Sequence, residues 1–297
     1  FFTESINMAK EKIKKEIDRL KNEIDLNVDD LNDVLLVVFH AGMGQDFSVP
    51  FIDPTSHDLK SAYVDDEMLE GLELPQIDGL SINRGLILPE TQNMLYYDVV
   101  QDIFPETDDL CDIQVGLTGT FALLMGYALE LPPLFNTESG MAGVGVFGLM
   151  DHGSNNGRGV IPAPPTAWTR VEKEWAIETF ILESGDYTIS SHDQSEQIYR
   201  IDISSNEYFL IENRNNWILE NDDDDIDSLR WKDDEGIYKE QIGHWFDTVL
   251  DERSEVQFEI TNDSVFTKFD NYDYGLPGSG LLIWHIREPE VDLLSGI

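Results

Sequence analysis

The sequence predicts an α+β chain, with helices confined to the first half and a second half built mainly of strands. Three observations predict it. Apolar residues recur at helical spacing in two stretches, 1–25 and 115–129. From about Val171 the pattern changes to short alternating or β-branched runs separated by Asp, Asn, Gly and Ser. Hydrophobic residues make up 41% of the 297 positions and aromatic residues 10%, enough to bury a substantial core.

Taken in order, residues 1–25 place Phe2, Ile6, Ile13, Ile17, Leu20 and Ile24 near one helical face, with lysines, Arg19 and acidic residues on the other. This reads as an amphipathic helix packed on the domain behind it, and a coiled-coil arm is the alternative. "DVLLVVFHAG" (33–42), a continuous apolar run stopped by Gly42, predicts a buried strand. Asp29, Asp30 and Asp33 read as a solvated acidic turn or, alternatively, a calcium site without EF-hand spacing. Residues 44–80, rich in Pro and Asp, predict a long loop. "GLILPE" (85–90) predicts a short strand, and "TQNMLYYDVVQDIF" (91–104) a helix. "VGLTGTFALLMGYALELPPLFN" (115–136) predicts a largely buried helix near 115–129 with Leu123 and Tyr127 on one face, followed by a Gly-rich loop through residue 160.

In the second half "AIETFIL", "DYTIS", "QIYRIDI", "EYFLIENR", "SEVQFEIT" and "GLLIWHI" predict strands, and period-2 alternation assigns Tyr208, Leu210, Leu282 and Trp284 to the core. The acidic run "ENDDDDIDS" (220–228) reads as a solvated loop, with a calcium loop as the alternative. The expected division is an N-terminal helix over 1–28, a first domain over 29–172 and a β-rich, sandwich-like domain over 173–297.

Charge narrows the function. Acidic residues number 59 against 19 basic ones, a formal charge of −40. Such a surface repels phosphate backbones, so nucleic acid is not an expected partner. It suits a secreted protein, a salt-rich habitat or calcium-rich surroundings equally well. One cysteine, Cys111, allows no internal disulfide and is neutral on compartment. No run approaches the roughly 18 apolar residues of a membrane-spanning helix. The chain opens on "FFTES" without an initiator Met or signal-peptide pattern and stops at "DLLSGI", so both ends are expected to be cuts inside a longer polypeptide. There is no G-x-S-x-G, P-loop or dinucleotide fingerprint, and His40, His57, His152, His192, His244 and His285 include no locally spaced metal pair.

Seven ordered segments resemble the immune inhibitor A type of secreted metallopeptidases: "VVFHAG" (37–42), "ILPE" (87–90), "LPPLFN" (131–136), "GVGVFGLMDHGSNNG" (143–157), "PAPPTAW" (162–168), "EYFLIENR" (207–214) and "GSGLLIWHI" (278–286). Each is weak alone, and the resemblance rests on their order over about residues 30–290. It implies a zincin-like metallopeptidase half ahead of the β-rich half, and export from the cell. In that family an active-site helix carries H-E-x-x-H and is followed by G-L-P-D. Two His at i and i+4 share one helical face and reach one zinc, and the Glu between them is the general base.

Aligned backward from Leu131-Pro132, the resemblance puts the first His position on Leu123, the Glu position on Leu124 and the second His position on Tyr127. The glycine after the helix falls on Glu130 and the acidic residue after the Pro on Pro133, while Gly126 and the Met-turn residue Met150 still match. Leu123, Leu124 and Pro133 offer no side-chain lone pair, and a phenol with an ordinary pKa near about 10 is a poor zinc ligand alone. His40 and His152 read as structural or cleft-lining histidines.

The expectation is therefore a pseudo-peptidase without catalytic residues, zinc or another cofactor apart from a calcium question left open. It is expected at the cell surface or outside the cell, binding a protein or peptide or assembling with itself. The rival is an active secreted zinc metalloendopeptidase with a non-standard metal site.

Overall fold

The structure is a computed structural model that describes residues 1–23, 34–46, 58–77, 79–92, 94–95, 112–113, 116–191, 197–216 and 272–288. The chain is mixed α/β, with two mixed sheets and few helices. It divides into two compact units, one of residues 1–117 with 124–130 and the other of 118–123 with 131–297.

In the first unit α1 (Phe2–Glu23) buries Phe2, Ile6 and Ile17, the stripe that the helical spacing picks out. They pack with Val64, Leu69, Ile77 and Ile82. The outer face is held in part by Arg19, which pairs with Glu16 three residues back and Glu23 four residues on. The sheet of this unit runs in the order β1 (Leu36–Met43), β5 (Gly85–Thr91), β2 (Ala62–Val64). β1 is parallel to β5 and β2 antiparallel to it. β5 lies in the middle, so Leu86 and Leu88 are sealed from solvent. β1 corrects the expectation of a buried strand. Among the described residues it has a neighbour on one side only, its residues are half-buried or exposed, and Phe39 is 60% exposed. A run that is apolar on both faces predicts burial only where both faces are covered.

Two further expectations change here. The stretch 44–80 is not loop throughout: it contains β2, β3 (Gln76–Ile77) and the start of β4 (Leu80–Ser81), the last two forming a small antiparallel pair. The start of 91–104 is extended rather than helical, with Thr91 ending β5 and β6 (Met94–Leu95) pairing with β7 (Asp112–Ile113). Residues 96–104 lie outside the described residues, as do Ile24, Asp29, Asp30, Asp33, His57 and Cys111.

The second unit is built on a four-stranded sheet ordered β11 (Gly280–Arg287), β10 (Glu207–Arg214), β9 (Gln197–Asp202), β8 (Ile177–Phe180). β10 runs antiparallel to both β11 and β9, and β8 is parallel to β9. β10 alternates strictly, burying Tyr208, Leu210, Glu212 and Arg214. The short helix α3 (Ala167–Glu172), capped by the Thr166 side chain, adds Ala167 to a core of Ile198, Tyr208, Leu210 and Ile286, with Trp168, Val171 and Trp284 partly buried against it. "EYFLIENR" and "GLLIWHI" are strands as expected. Tyr208 and Leu210 are core, whereas Leu282 and Trp284 are half-buried. "DYTIS" (186–190) is not a strand: Tyr187 stacks edge-on against Tyr199, whose hydroxyl donates to the Thr188 carbonyl oxygen at 2.8 Å. "SEVQFEIT", the acidic run 220–228, His192 and His244 lie outside the described residues.

Candidate functional site

The helix over the segment that the resemblance aligns with H-E-x-x-H is α2, Leu117–Ala128. It has no charged residue; Gly119, Leu124 and Gly126 are buried, Thr118 and Phe121 exposed and the others half-buried, a qualification to the expected largely buried helix. Leu123 and Tyr127 stand one turn apart, which places them on the same face, and both are half-buried. The early part of the helix approaches the loop after Met150 so closely that a Cβ on Gly119 would collide with the Ser154 carbonyl oxygen. A side chain at Gly119 is therefore excluded sterically.

Leu124, which the resemblance aligns with the general base, is 7% exposed and packs with Leu86 and Leu88 of β5; Leu117, Met125 and Tyr127 border the cluster. The Tyr127 ring stacks on Tyr63, centroids 6.4 Å apart and planes 28° from parallel. Burial pushes the Tyr127 phenol up to about 12, because the phenolate would be desolvated. The ring is thus neutral at physiological pH. None of Leu123, Leu124 and Pro133 has a donor atom, and Tyr127 is held in its protonated form. None of these four residues is of a type that holds zinc.

The sign of the Tyr127 effect follows from linkage. Its folded pKa lies above the unfolded value of 10.0. The stability it contributes is present below pH 10 and is lost as pH rises toward about 12. Relative to Tyr127→Phe, the natural chain should lose on the order of 2 kcal/mol over that window. Paired denaturant melts of the two chains would show it, and parallel curves would contradict it.

The end of α2 carries a feature that the sequence alone could not show. Glu130 has φ 60°, in the left-handed region. The Leu129 N–H bonds back to the Met125 and Gly126 carbonyls, and the Glu130 N–H to the Tyr127 carbonyl at 2.9 Å. This is the conformation in which helices commonly end on glycine. The resemblance places the family's glycine at this position. Glu130→Gly should stabilise the chain by about 0.5–1 kcal/mol, because removing Cβ strain outweighs the added freedom of the unfolded glycine. A chemical melt checks the sign, and destabilisation would mean that the Glu side chain holds the turn.

The segment that the resemblance aligns with the Met-turn is tightly wired within the second unit. Met150 is fully buried, and its carbonyl accepts from Leu134 N–H at 2.9 Å. Pro133, beside it in sequence, is half-buried. Asp151, also buried, turns its carboxylate onto the backbone. Oδ2 accepts from the N–H groups of Gly143, Val144 and Gly145 at 2.8, 2.7 and 2.7 Å, and Oδ1 accepts from His152 N–H at 2.7 Å. Val144 is right-handed and Gly145 has φ 66°, the alternation that turns successive N–H groups toward one anion. Sequence reasoning missed Asp151, although an Asp six to eight residues after a Gly-Val-Gly turn is a usable signal. His152 is exposed, with Nε2 3.1 Å from the Gly140 carbonyl oxygen. His40 sits in β1 with Nδ1 3.1 Å from the Ala41 carbonyl oxygen.

A second cluster that the sequence did not reveal lies under the sheet of the second unit. Glu212 pairs with Arg170 and, at 3.4 Å, with Arg214, and accepts from the Trp284 indole N–H at 2.7 Å. Arg214 also donates Nε and Nη2 to Asp273 Oδ1 at 2.8 and 2.5 Å. All four charged groups are at least 95% buried, and two positive charges meet two negative ones.

Comparison with models of protein families, with curated proteins and with solved structures finds no match to this chain.

Proposed function

We propose that the chain is a zincin-like pseudo-peptidase of the immune inhibitor A type, a binding or structural module of the cell exterior in which the catalytic slot has become part of the core. The observation that carries the reading is the packing at the slot. Leu124, at the general-base position, completes an apolar cluster with Leu86 and Leu88, and Tyr127, at the second His position, is a neutral ring stacked on Tyr63. A His-Glu-His set left there without metal would be desolvated and unpaired, at a cost of several kcal/mol. Leucine and tyrosine remove that cost. The left-handed turn at Glu130 supports the alignment independently, because it keeps a glycine's backbone where the family has glycine.

The occupant we propose is an extended protein or peptide, or further copies of the chain, with calcium left as an open companion. A charge of −40 disfavours acidic partners and favours cationic ones. Among the described residues no helix is long and apolar enough to cross a membrane. Titration of fluorescently labelled, unfolded lysine- and arginine-rich peptides, alongside sedimentation at low and high salt with and without calcium, tests the binding half of the proposal. Saturable anisotropy or salt-dependent assembly supports it. A chain that stays monomeric and binds no peptide in every condition overturns it.

A further inference from the structure

We propose that the open face of the four-stranded sheet is a contact between two copies of this chain. One face of the sheet packs with α3 through Ile198, Tyr208, Leu210 and Ile286. The pairing register puts the alternate residues of each strand on the other face. There Phe209 lies between Ile201 and His285, Ile211 beside Ile283, and Asn213 beside Leu281. Leu281 is 58% exposed and Ile283 62%, while Phe209, Ile211 and Ile201 are half-buried. These five apolar side chains form one strip across β9, β10 and β11. At one corner Tyr187 rests against Tyr199, and the Asn213 Nδ2 donates to the Ile189 carbonyl oxygen at 3.3 Å.

A continuous apolar strip left in water and rimmed by polar groups marks a contact surface. The rim here decides the partner. Glu207 is the one acid on this face among the described residues, and its Oε1 lies 2.7 Å from His285 Nε2 and accepts from Arg287 Nε at 3.1 Å. The face thus carries a matched acid and base in a chain whose charge is −40. A strongly cationic or anionic partner would set one of them against its own sign. A second copy, turned about a two-fold axis, presents the same apolar centre and the same matched pair, so opposite charges meet across the contact. Size sets the strength. Four strands of up to eight residues, spaced about 4.8 Å apart, span at most roughly 19 by 27 Å. Two such faces bury at most about 1,000 Å² together, the lower limit for a specific interface. The dimer is therefore weak, and repulsion between the acidic surfaces around it weakens it further until salt screens them. No residue of the slot takes part, so the dimer stands or falls apart from the pseudo-peptidase reading.

Sedimentation of the chain over a concentration series at low and high salt tests this. The expected result is a monomer–dimer equilibrium whose dissociation constant falls by about tenfold or more between the two salts. Ile283→Asp, at an exposed position, should abolish the dimer. Leu281→Thr with Ile283→Thr keeps β-branched residues on the strand and removes the apolar surface; it carries the same expectation should the Asp variant fail to fold. Met8→Asp, which puts the same charge on an 85% exposed residue of the first unit, should leave the dimer intact. A chain that stays monomeric up to about 1 mM in high salt, or assembly that continues past the dimer, overturns the proposal. So does a double Thr variant that dimerises like its parent, or a Met8→Asp chain that dissociates as fully as Ile283→Asp.

Discussion

Arg214→Ala is expected to destabilise the second unit by about 3–5 kcal/mol, the usual cost of removing one partner from a buried ion pair, and to lower its melting temperature by on the order of 10 °C. Arg214 is 1% exposed, and its removal takes two hydrogen bonds and the positive charge they carry away from Asp273, 0% exposed. Glu212 keeps Arg170 and the Trp284 indole, so the damage falls mainly on Asp273. That asymmetry sharpens the test. Asp273→Ala alone should also be costly, because it leaves Arg214 with only the 3.4 Å contact to Glu212. The double variant should cost less than the sum of the singles, with a coupling of at least about 1.5 kcal/mol, because it leaves neither group alone. Simple additivity would mean that the pair is solvated and that the buried geometry is not what holds the strand.

Leu124→Glu introduces the residue type that the resemblance assigns to this position, and it is expected to cost about 3–5 kcal/mol rather than to create a base. Part of that is lost apolar burial against Leu86 and Leu88, and part is the carboxyl group placed among hydrocarbon. Burial raises a carboxyl pKa, so the folded variant holds its proton to higher pH than the unfolded one. The destabilisation should therefore be smaller near pH 5 and grow toward pH 8. Leu124→Met, which conserves volume and polarity, should cost under about 1.5 kcal/mol. A Glu variant as stable as its parent at pH 8 would place the side chain in an open cleft, and the core-filling account of the slot would fail.

What the sequence shows and what it hides divide along range. Phe2, Ile6 and Ile17 in α1, the alternation of β10 and the extent of α2 follow from local spacing. The slot positions follow from short motifs kept in order. The exposure of β1 does not follow from its apolar run, because such a run does not record how many neighbours a strand has. "DYTIS" has strand composition, yet its tyrosine is used against Tyr199 instead of a neighbouring strand. The Arg170–Glu212–Arg214–Asp273 cluster joins residues 42 and 59 positions apart, beyond any local pattern. Of the candidate site, the absence of donor atoms on Leu123, Leu124 and Pro133 is legible in the sequence; the packing of Leu124 on Leu86 and Leu88, the Tyr127–Tyr63 stack and the left-handed turn at Glu130 required coordinates.

The central claim is that the chain is a peptidase frame without peptidase chemistry. The most direct measurement takes the unmodified protein, purified and then equilibrated with excess zinc and desalted. Zinc per chain is determined by elemental analysis, and the same sample is incubated with unfolded casein with and without a chelator. The account predicts zinc far below one per chain and casein that remains intact to the same extent in both arms. One zinc per chain together with cleavage that the chelator abolishes would contradict it.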